Sequence, residues 1–221
     1  MEHIIDNPAL RKCINPNSGF VKQLKKYDEQ LLNPNMNEEK IPEANDNKPE
    51  KYNVVTNVCQ ICGYTDYHDL DSHPLSHITP IMPRLYLGSR TNAHNYYEVK
   101  FFDIKTIINV AIEIPKICAD EFKYIKYDWD DIFCFDILSD LDNIVDQIHF
   151  EISNENPVLV HCAAGVSRSA SAVIGYLMKY KKMSFDDAYD HVKSLRSCIN
   201  PNSGFVDQLK KYGAKLSSTN V

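Results

Sequence analysis

Several features that would place this chain in a common class of protein are missing from its 221 residues. No apolar run approaches the roughly 18 residues of a membrane-spanning helix. The first residues, MEHIIDNPALRK, lack the basic stretch followed by an apolar one that a secretory signal needs. The net charge is −6, so no excess of positive charge indicates a nucleic-acid partner. We therefore expect a protein with neither a membrane nor a nucleic-acid partner.

The seven cysteines form no recognisable disulfide framework, because their number is odd and they are widely scattered. Reduced thiols are typical of an intracellular compartment. Together with the missing signal, the cysteines predict a cytoplasmic protein. The content of 43% hydrophobic and 24% charged residues is that of an ordinary globular chain.

One stretch of the sequence occurs twice. Residues 10–27, LRKCINPNSGFVKQLKKY, align without a gap to residues 195–212, LRSCINPNSGFVDQLKKY. Of the 18 positions 16 are identical, and the two that differ are Lys12/Ser197 and Lys22/Asp207. A repeat array needs at least about three copies at a short period. We therefore interpret one copy as part of a folded domain and the other as a duplicate.

The chain is predicted to consist of a main domain with an N-terminal extension. Residues 28–57 are rich in Asn, Glu, Lys and Pro, which is typical of a flexible linker, so residues 1–57 form the extension. Residues 58–77 form a possible small Cys/His segment, residues 78–216 the main domain and residues 217–221 a tail.

Strands and helices alternate in the main domain. Short strands are predicted to end at Gly88 and to cover residues 105–111, 123–128 and 158–160. Helices are predicted over residues 91–103, with Thr91 or Asn92 as the cap, and over residues 137–152, 169–181, 184–195 and the stretch after PNSG. This alternation predicts an α/β fold with a central, mainly parallel, twisted sheet flanked by helices.

The stretch VLVHCAAGVSRSAS, residues 158–171, carries the chemistry. A buried strand ends at His161, Cys162 follows at its tip, and a helix begins near Arg168. Five residues between Cys162 and Arg168 can wrap their backbone N–H groups around a tetrahedral anion, which the helix N-terminus also favours. The guanidinium of Arg168 matches two oxygens of a phosphoryl group. The same positive field favours the thiolate of Cys162, which is the nucleophilic form.

The sequence HCAAGVSRS resembles the HCxxGxxR[ST] signature of the Cys-dependent protein phosphatases. It is most similar to the dual-specificity branch, close to the catalytic domains of MAP-kinase phosphatases. PRLYLGSRTNA, TIINVA and the C-terminal INPNSGFVDQL look like other segments of that family, so the resemblance spans residues 78–216. It implies hydrolysis of phosphotyrosine and phosphoserine/threonine in proteins, with no cofactor and no catalytic metal.

The resemblance also implies a role for each site residue. Cys162 would form a phosphocysteine, and Ser169 would hydrogen-bond its sulfur. The phosphoryl oxygens would be bound by Arg168 and the loop residues Ala163, Ala164, Gly165, Val166 and Ser167. The general acid aligns to Asp131, with Asp130 as the alternative because the acidic cluster allows the alignment to slip. His161 would hold the shape of the loop.

Three questions stay open at the level of sequence. The first is whether Cys59, Cys62, His73 and His77, which have a spacing close to a zinc pattern, bind a structural zinc ion. The second is whether the substrate is a non-protein phosphoester, or whether the chain is a phosphoprotein-binding module without turnover. The third concerns residues 10–27. They are either a genetic relic or a competitor for the position of residues 198–212, in the same chain or in a homodimer.

Overall fold

A computed structural model describes residues 77–116 and 121–218 of the chain. The N-terminal extension, the duplicate within it and most of the Cys/His segment lie outside these residues, so the predictions made for them stay predictions. Within the described part, no helix is both long and apolar enough to cross a membrane.

Five short strands form the central sheet. They are β1 (Thr79–Met82), β2 (Leu85–Gly88), β3 (Thr106–Asn109), β4 (Lys123–Lys126) and β5 (Val158–His161). Their order is β1-β2-β5-β3-β4, and all neighbouring pairs are parallel except β1 and β2. The predicted mainly parallel sheet is thereby confirmed. The sequence pattern does not predict β1, which contains Pro80, a residue that strands tolerate mainly at a sheet edge.

Six helices surround the sheet. They are α1 (Arg90–His94), α2 (Tyr96–Phe101), α3 (Leu138–Ser153), α4 (Arg168–Tyr180), α5 (Phe185–Leu195) and α6 (Ser203–Ser218). Helix α4 lies at the centre, where it contacts α3, α5, α6 and β5. Eleven of its 13 residues are buried, as in a helix that packs against neighbours on most of its faces.

The prediction of one helix over residues 91–103 was wrong. The structure has two helices, α1 and α2, which meet at Asn95. The caps are Ser89, whose side chain accepts a hydrogen bond from the backbone N–H of Asn92, and Asn95, whose side chain accepts one from Glu98. The Asn95 side chain competes for the backbone N–H groups that a continuous helix would use, and this ends the first helix.

Strand β5 places the functional residues. All four of its residues are buried, and it pairs with β2 on one side and β3 on the other. The chain leaves its carboxyl end at His161 and enters α4 at Arg168. The carboxyl ends of the three central parallel strands meet at this edge, where ligand sites of α/β sheets lie.

Candidate active site

The loop of residues 162–168, here called the anion loop, has its carbonyl groups turned outwards. Three of them accept hydrogen bonds from outside the loop: Ala163 from the Arg90 N–H at 3.0 Å, Gly165 from Arg196 Nε at 3.0 Å and Val166 from the Asn200 N–H at 2.9 Å. Because a carbonyl and the following N–H point in roughly opposite directions, the loop amides turn towards its concave side. This is the geometry of an anion-binding nest.

Gly165 is the one residue of the anion loop that no other residue type can replace without strain. Its φ of +71° is in the region that favours glycine. A Cβ atom there would also lie 2.7 Å from the Gly88 carbonyl oxygen and 2.8 Å from Arg196 Nη2. The close approach of the loop to β2 therefore depends on the missing side chain.

Cys162 lies at the base of the anion loop and is only 1% exposed. Its Sγ accepts a hydrogen bond from the Gly165 N–H at 3.3 Å and one from Ser169 Oγ at 3.2 Å. Two hydrogen-bond donors are thus aimed at the one sulfur. The predicted partner of the sulfur, Ser169, thus lies at hydrogen-bond distance.

Arg168 is held by two carboxylates at the mouth of the anion loop. Its Nη1 and Nη2 donate to the two oxygens of Glu113 at 2.5 and 2.6 Å, and Nη1 also donates to the Trp129 carbonyl. The hydrogen bonds from Arg168 lower the pKa of Glu113. Arg168 Nε is buried, makes no hydrogen bond to any described residue and lies 3.6 Å from Asp131 Oδ2. This buried donor is available to an anionic ligand.

The structure brings Asp131, and not Asp130, to the anion loop. Asp131 Oδ1 accepts hydrogen bonds from Ser167 Oγ at 2.7 Å and from Asn202 Nδ2 at 2.9 Å. These bonds hold Oδ1 and leave Oδ2 on the side of Arg168. Asp130 is exposed, and its side chain makes no hydrogen bond within the described part of the chain.

The segment of residues 196–208, here called the strap, fixes the loop of residues 128–137 that carries Asp131, here called the acid loop. The Asn202 N–H donates to Ser167 Oγ at 3.2 Å. Gln208 accepts from the Ile137 N–H and donates to the Phe135 carbonyl, both at 2.8 Å. Gly204 lies so close to Phe133 that a Cβ atom would overlap its carbonyl oxygen. The C-terminal copy of the repeated stretch therefore holds the acid loop against the anion loop.

Sequence reasoning missed four residues of the site: Glu113, Arg196, Asn202 and Gln208. The last three belong to the repeated stretch, whose duplication was a visible signal without an assigned role. Glu113 had no signal of its own, because it approaches Arg168 from a part of the chain 55 residues away.

His161 is a structural residue of the site. It is fully buried, and burial lowers its pKa to about 4, so the imidazole is neutral near pH 7. Its Nδ1 lies 3.2 Å from the Cys162 carbonyl oxygen, where a neutral ring donates a hydrogen bond. This contact orients the first peptide of the anion loop.

The buried His161 predicts a loss of stability in mild acid. The ring titrates near pH 6.5 when unfolded and about 4 when folded, so between these values the unfolded chain binds more protons and stability falls as the pH falls. From pH 7 to pH 5 this costs about 2 kcal/mol. In the His161→Asn variant the side-chain amide can still donate a hydrogen bond but does not titrate. The variant is therefore expected to lack this contribution to the loss of stability between pH 7 and pH 5. Urea unfolding of both proteins at the two pH values measures the difference, and equal losses would contradict it.

The described residues contain no cluster of three or more His, Cys, Asp or Glu side chains that could hold a metal ion. Three of the four candidate zinc ligands, Cys59, Cys62 and His73, lie outside these residues. The fourth, His77, is buried, and its Nδ1 lies 3.1 Å from Glu98 Oε1. The zinc hypothesis therefore stays a prediction.

Comparison with known proteins points to the same chemistry as the geometry. The family model for the catalytic domain of dual specificity phosphatases matches residues 85–215. Mouse dual specificity protein phosphatase 14 is 40% identical over 139 residues, which cover 63% of this chain and 70% of that protein. The putative tyrosine phosphatase 123R of invertebrate iridescent virus 6 is 40% identical over 144 residues, which cover 64% and 96%.

Solved structures extend the similarity to the fold. The human tyrosine phosphatase-like serine/threonine/tyrosine-interacting protein superposes with a TM-score of 0.60 at 33% identity, covering 63% of this chain and 97% of that one. Human DUSP28 superposes with a TM-score of 0.61 at 28% identity, covering 63% and 95%. Because the family model spans 131 of the 221 residues and includes four of the five strands, the anion loop and the strap, this chain belongs to the dual-specificity phosphatase family and is a protein-tyrosine/dual-specificity phosphatase.

Proposed function

We propose that this phosphatase hydrolyses phosphotyrosine and phosphoserine/threonine in proteins through a phosphocysteine intermediate, with residues 78–216 as the catalytic domain. The observation that carries the proposal is the position of Cys162 Sγ. It lies at the base of the anion loop, receives two hydrogen bonds, and is followed by Arg168, which contacts the general-acid candidate Asp131.

In the first step, the Cys162 thiolate attacks phosphorus in line with the leaving oxygen. The S–P bond forms, the P–O ester bond breaks, and the leaving oxygen takes a proton from Asp131. The loop amides and Arg168 Nε bind the equatorial oxygens. Arg168 is already oriented by Glu113 and the Trp129 carbonyl, so little reorganisation is needed when the phosphoryl group arrives.

In the second step, water attacks phosphorus and the S–P bond breaks. The Asp131 carboxylate, deprotonated in the first step, takes a proton from the water. Ser169 Oγ, which lies 3.2 Å from the sulfur, stabilises the departing thiolate by donating its hydrogen bond. Every proton and electron pair is accounted for by these side chains and water, so no step of the proposed mechanism requires a metal or a cofactor.

The surroundings of the site favour a protein phosphoester over a polyanionic substrate. The variable positions of the anion loop, Ala163, Ala164, Val166 and Ser167, carry no charge. Next to Asp131, Ile132 and Phe133 are 45% and 72% exposed, and next to Glu113, Ile112 is 53% exposed. An apolar rim with acidic neighbours suits side chains around a phosphorylated residue and repels an inositol polyphosphate or a 5′-triphosphate.

The substrate class is tested by comparing four substrates with the full-length protein in a reducing buffer. We expect turnover of a phosphotyrosyl and a phosphothreonyl peptide, and kcat/KM at least about tenfold lower for a phosphoinositide and for an RNA 5′-triphosphate, since charge repulsion of this kind costs several kcal/mol at close range. The measurement is released phosphate.

Two results would argue against this assignment. A higher kcat/KM on the phosphoinositide would reassign the substrate to a lipid. Tight binding of the phosphopeptides without phosphate release would show a binding module, as the name of the human phosphatase-like interacting protein suggests for that relative.

A further inference from the structure

Residues 195–212 occupy a continuous surface on the phosphatase domain, here called the seat. The residues of this segment that enter the seat are Arg196, Ile199, Pro201, Phe205, Leu209 and Tyr212, all of which are buried. Asn202 and Gln208 add the hydrogen bonds to Asp131 and to the acid loop. Tyr212 donates to Asp142 at 2.7 Å at the far end of the seat.

The N-terminal copy, residues 10–27, has the same residue type at every one of these positions. Its counterparts are Arg11, Ile14, Pro16, Phe20, Leu24 and Tyr27 in the buried set, and Asn17 and Gln23 for the hydrogen bonds. The only two differences, at Ser197 and Asp207, fall on exposed side chains. No buried residue of this segment, and neither Asn202 nor Gln208, has therefore changed between the copies.

The copy ends where the seat ends. At the position of Lys193 in α5, the N-terminal sequence has Pro8, which cannot stand inside a helix, so the similarity does not extend into α5. Beyond Tyr212, Leu216 has a counterpart in Leu31, but Lys215 is replaced by Gln30. The copy thereby loses the exposed ion pair of Lys215 with Asp142, an interaction worth little at a surface.

Each chain thus carries two equivalent segments and one seat. Whichever segment is seated, the other is left without this seat, so apart from the cost of joining two chains the exchange depends on the difference between the two segments. That difference includes the surface ion pair of Lys215 and position 213, where Asp28 is the counterpart of a glycine whose Cβ atom would lie 3.0 Å from Met178 Cε. When two chains exchange these segments reciprocally, they form a dimer with two-fold symmetry. After the first exchange the two chains are already joined, so the second exchange takes place within one complex.

We propose that residues 10–27 of a second copy of this chain bind the seat in place of residues 195–212 and there complete the site around Asp131. The binding partner is another copy of this chain, because its residues 10–27 repeat the sequence that occupies the seat. The contacts it makes are those seen for the C-terminal copy, from Arg196 at the anion loop to Tyr212 at Asp142.

A cross-link tests the proposal without relying on activity. Asp207 and the exposed Cys134 line one cavity of about 410 Å³ between the acid loop and α6. Lys22 is the counterpart of Asp207, so in a seated N-terminal copy a thiol introduced by Lys22→Cys lies in the same cavity as Cys134. We expect a short bis-maleimide to join these two thiols in the full-length protein, giving a covalent dimer whose linked peptides are identified by mass spectrometry.

The chain supplies the matched controls. Asp207→Cys places the thiol in residues 195–212, the segment that occupies the seat in the structure. The yield of its cross-link to Cys134 within one chain is the reference value for a seated segment. We expect a lower yield for Lys22→Cys, because of the lost ion pair and the side chain of Asp28 at the position of Gly213, and no such link when Cys134→Ser is added to either variant. If no link forms between the Lys22→Cys thiol and Cys134, the proposal is overturned. A link confined to monomers would overturn the assignment to a second copy and place the segment on its own chain.

Discussion

The Cys162→Ser protein is expected to hydrolyse an aryl phosphate at least about 10⁴-fold more slowly than the wild type. A serine hydroxyl is a much weaker acid and a poorer nucleophile than a cysteine thiol, so it cannot replace the sulfur in the attack on phosphorus. The substitution exchanges one atom at the base of the anion loop and leaves Gly165 and Ser169 in place. The measurement is phosphate release by both proteins in reductant, with and without EDTA.

The controls for Cys162→Ser separate chemistry from folding and from metal dependence. The wild-type turnover is expected to survive EDTA, because no step of the proposed mechanism uses a metal. The variant is expected to unfold at the wild-type urea concentration and to retain binding of a phosphopeptide, since the loop amides and Arg168 are unchanged. Residual turnover above one per cent of wild type, or a wild-type rate that disappears with EDTA, would contradict the cysteine mechanism.

The Asp131→Asn protein is expected to lose about 10²-fold or more in kcat/KM for phosphotyrosine, whose leaving group needs a proton. An aryl phosphate with a strongly acidic phenol leaves without protonation, so its first step is expected to change far less. The asparagine keeps an oxygen that can accept the hydrogen bonds from Ser167 and Asn202, so the acid loop should hold its position. The measurement is kcat/KM, which reports the first step, over a series of aryl phosphates with phenols of increasing pKa.

Asp130→Asn is the matched control, because it is the same substitution one residue away on an exposed side chain. It is expected to leave kcat/KM within about twofold of wild type across the series, as substitutions away from the chemistry usually do. If the rate depends steeply on the pKa of the leaving phenol in Asp130→Asn and hardly at all in Asp131→Asn, the general acid is Asp130 instead.

The residues of the anion loop and the chemistry proposed for them can be predicted from the sequence. Cys162, Gly165, Arg168 and Ser169 lie within eight residues, between a strand and a helix that local patterns predict well. A strand, a short turn and a helix leave few conformations for so short a segment, so spacing alone indicated an anion site with a nucleophile. The apolar patterns likewise predicted α3 and α4, and the alternation of strands with helices predicted the α/β fold.

Only the folded structure shows which of the two adjacent acids lies at the anion loop and what holds it there. Asp131 accepts hydrogen bonds from Ser167, 36 positions away in the sequence, and from Asn202, 71 positions away. Arg168 donates hydrogen bonds to Glu113, 55 positions away. The junction of α1 and α2 was decided by the caps at Ser89 and Asn95, which compete with a continuous helix. A local pattern reports the preferences of neighbours in the chain. The choice between adjacent acids such as Asp130 and Asp131 depends on distant side chains, which come together only when the core packs.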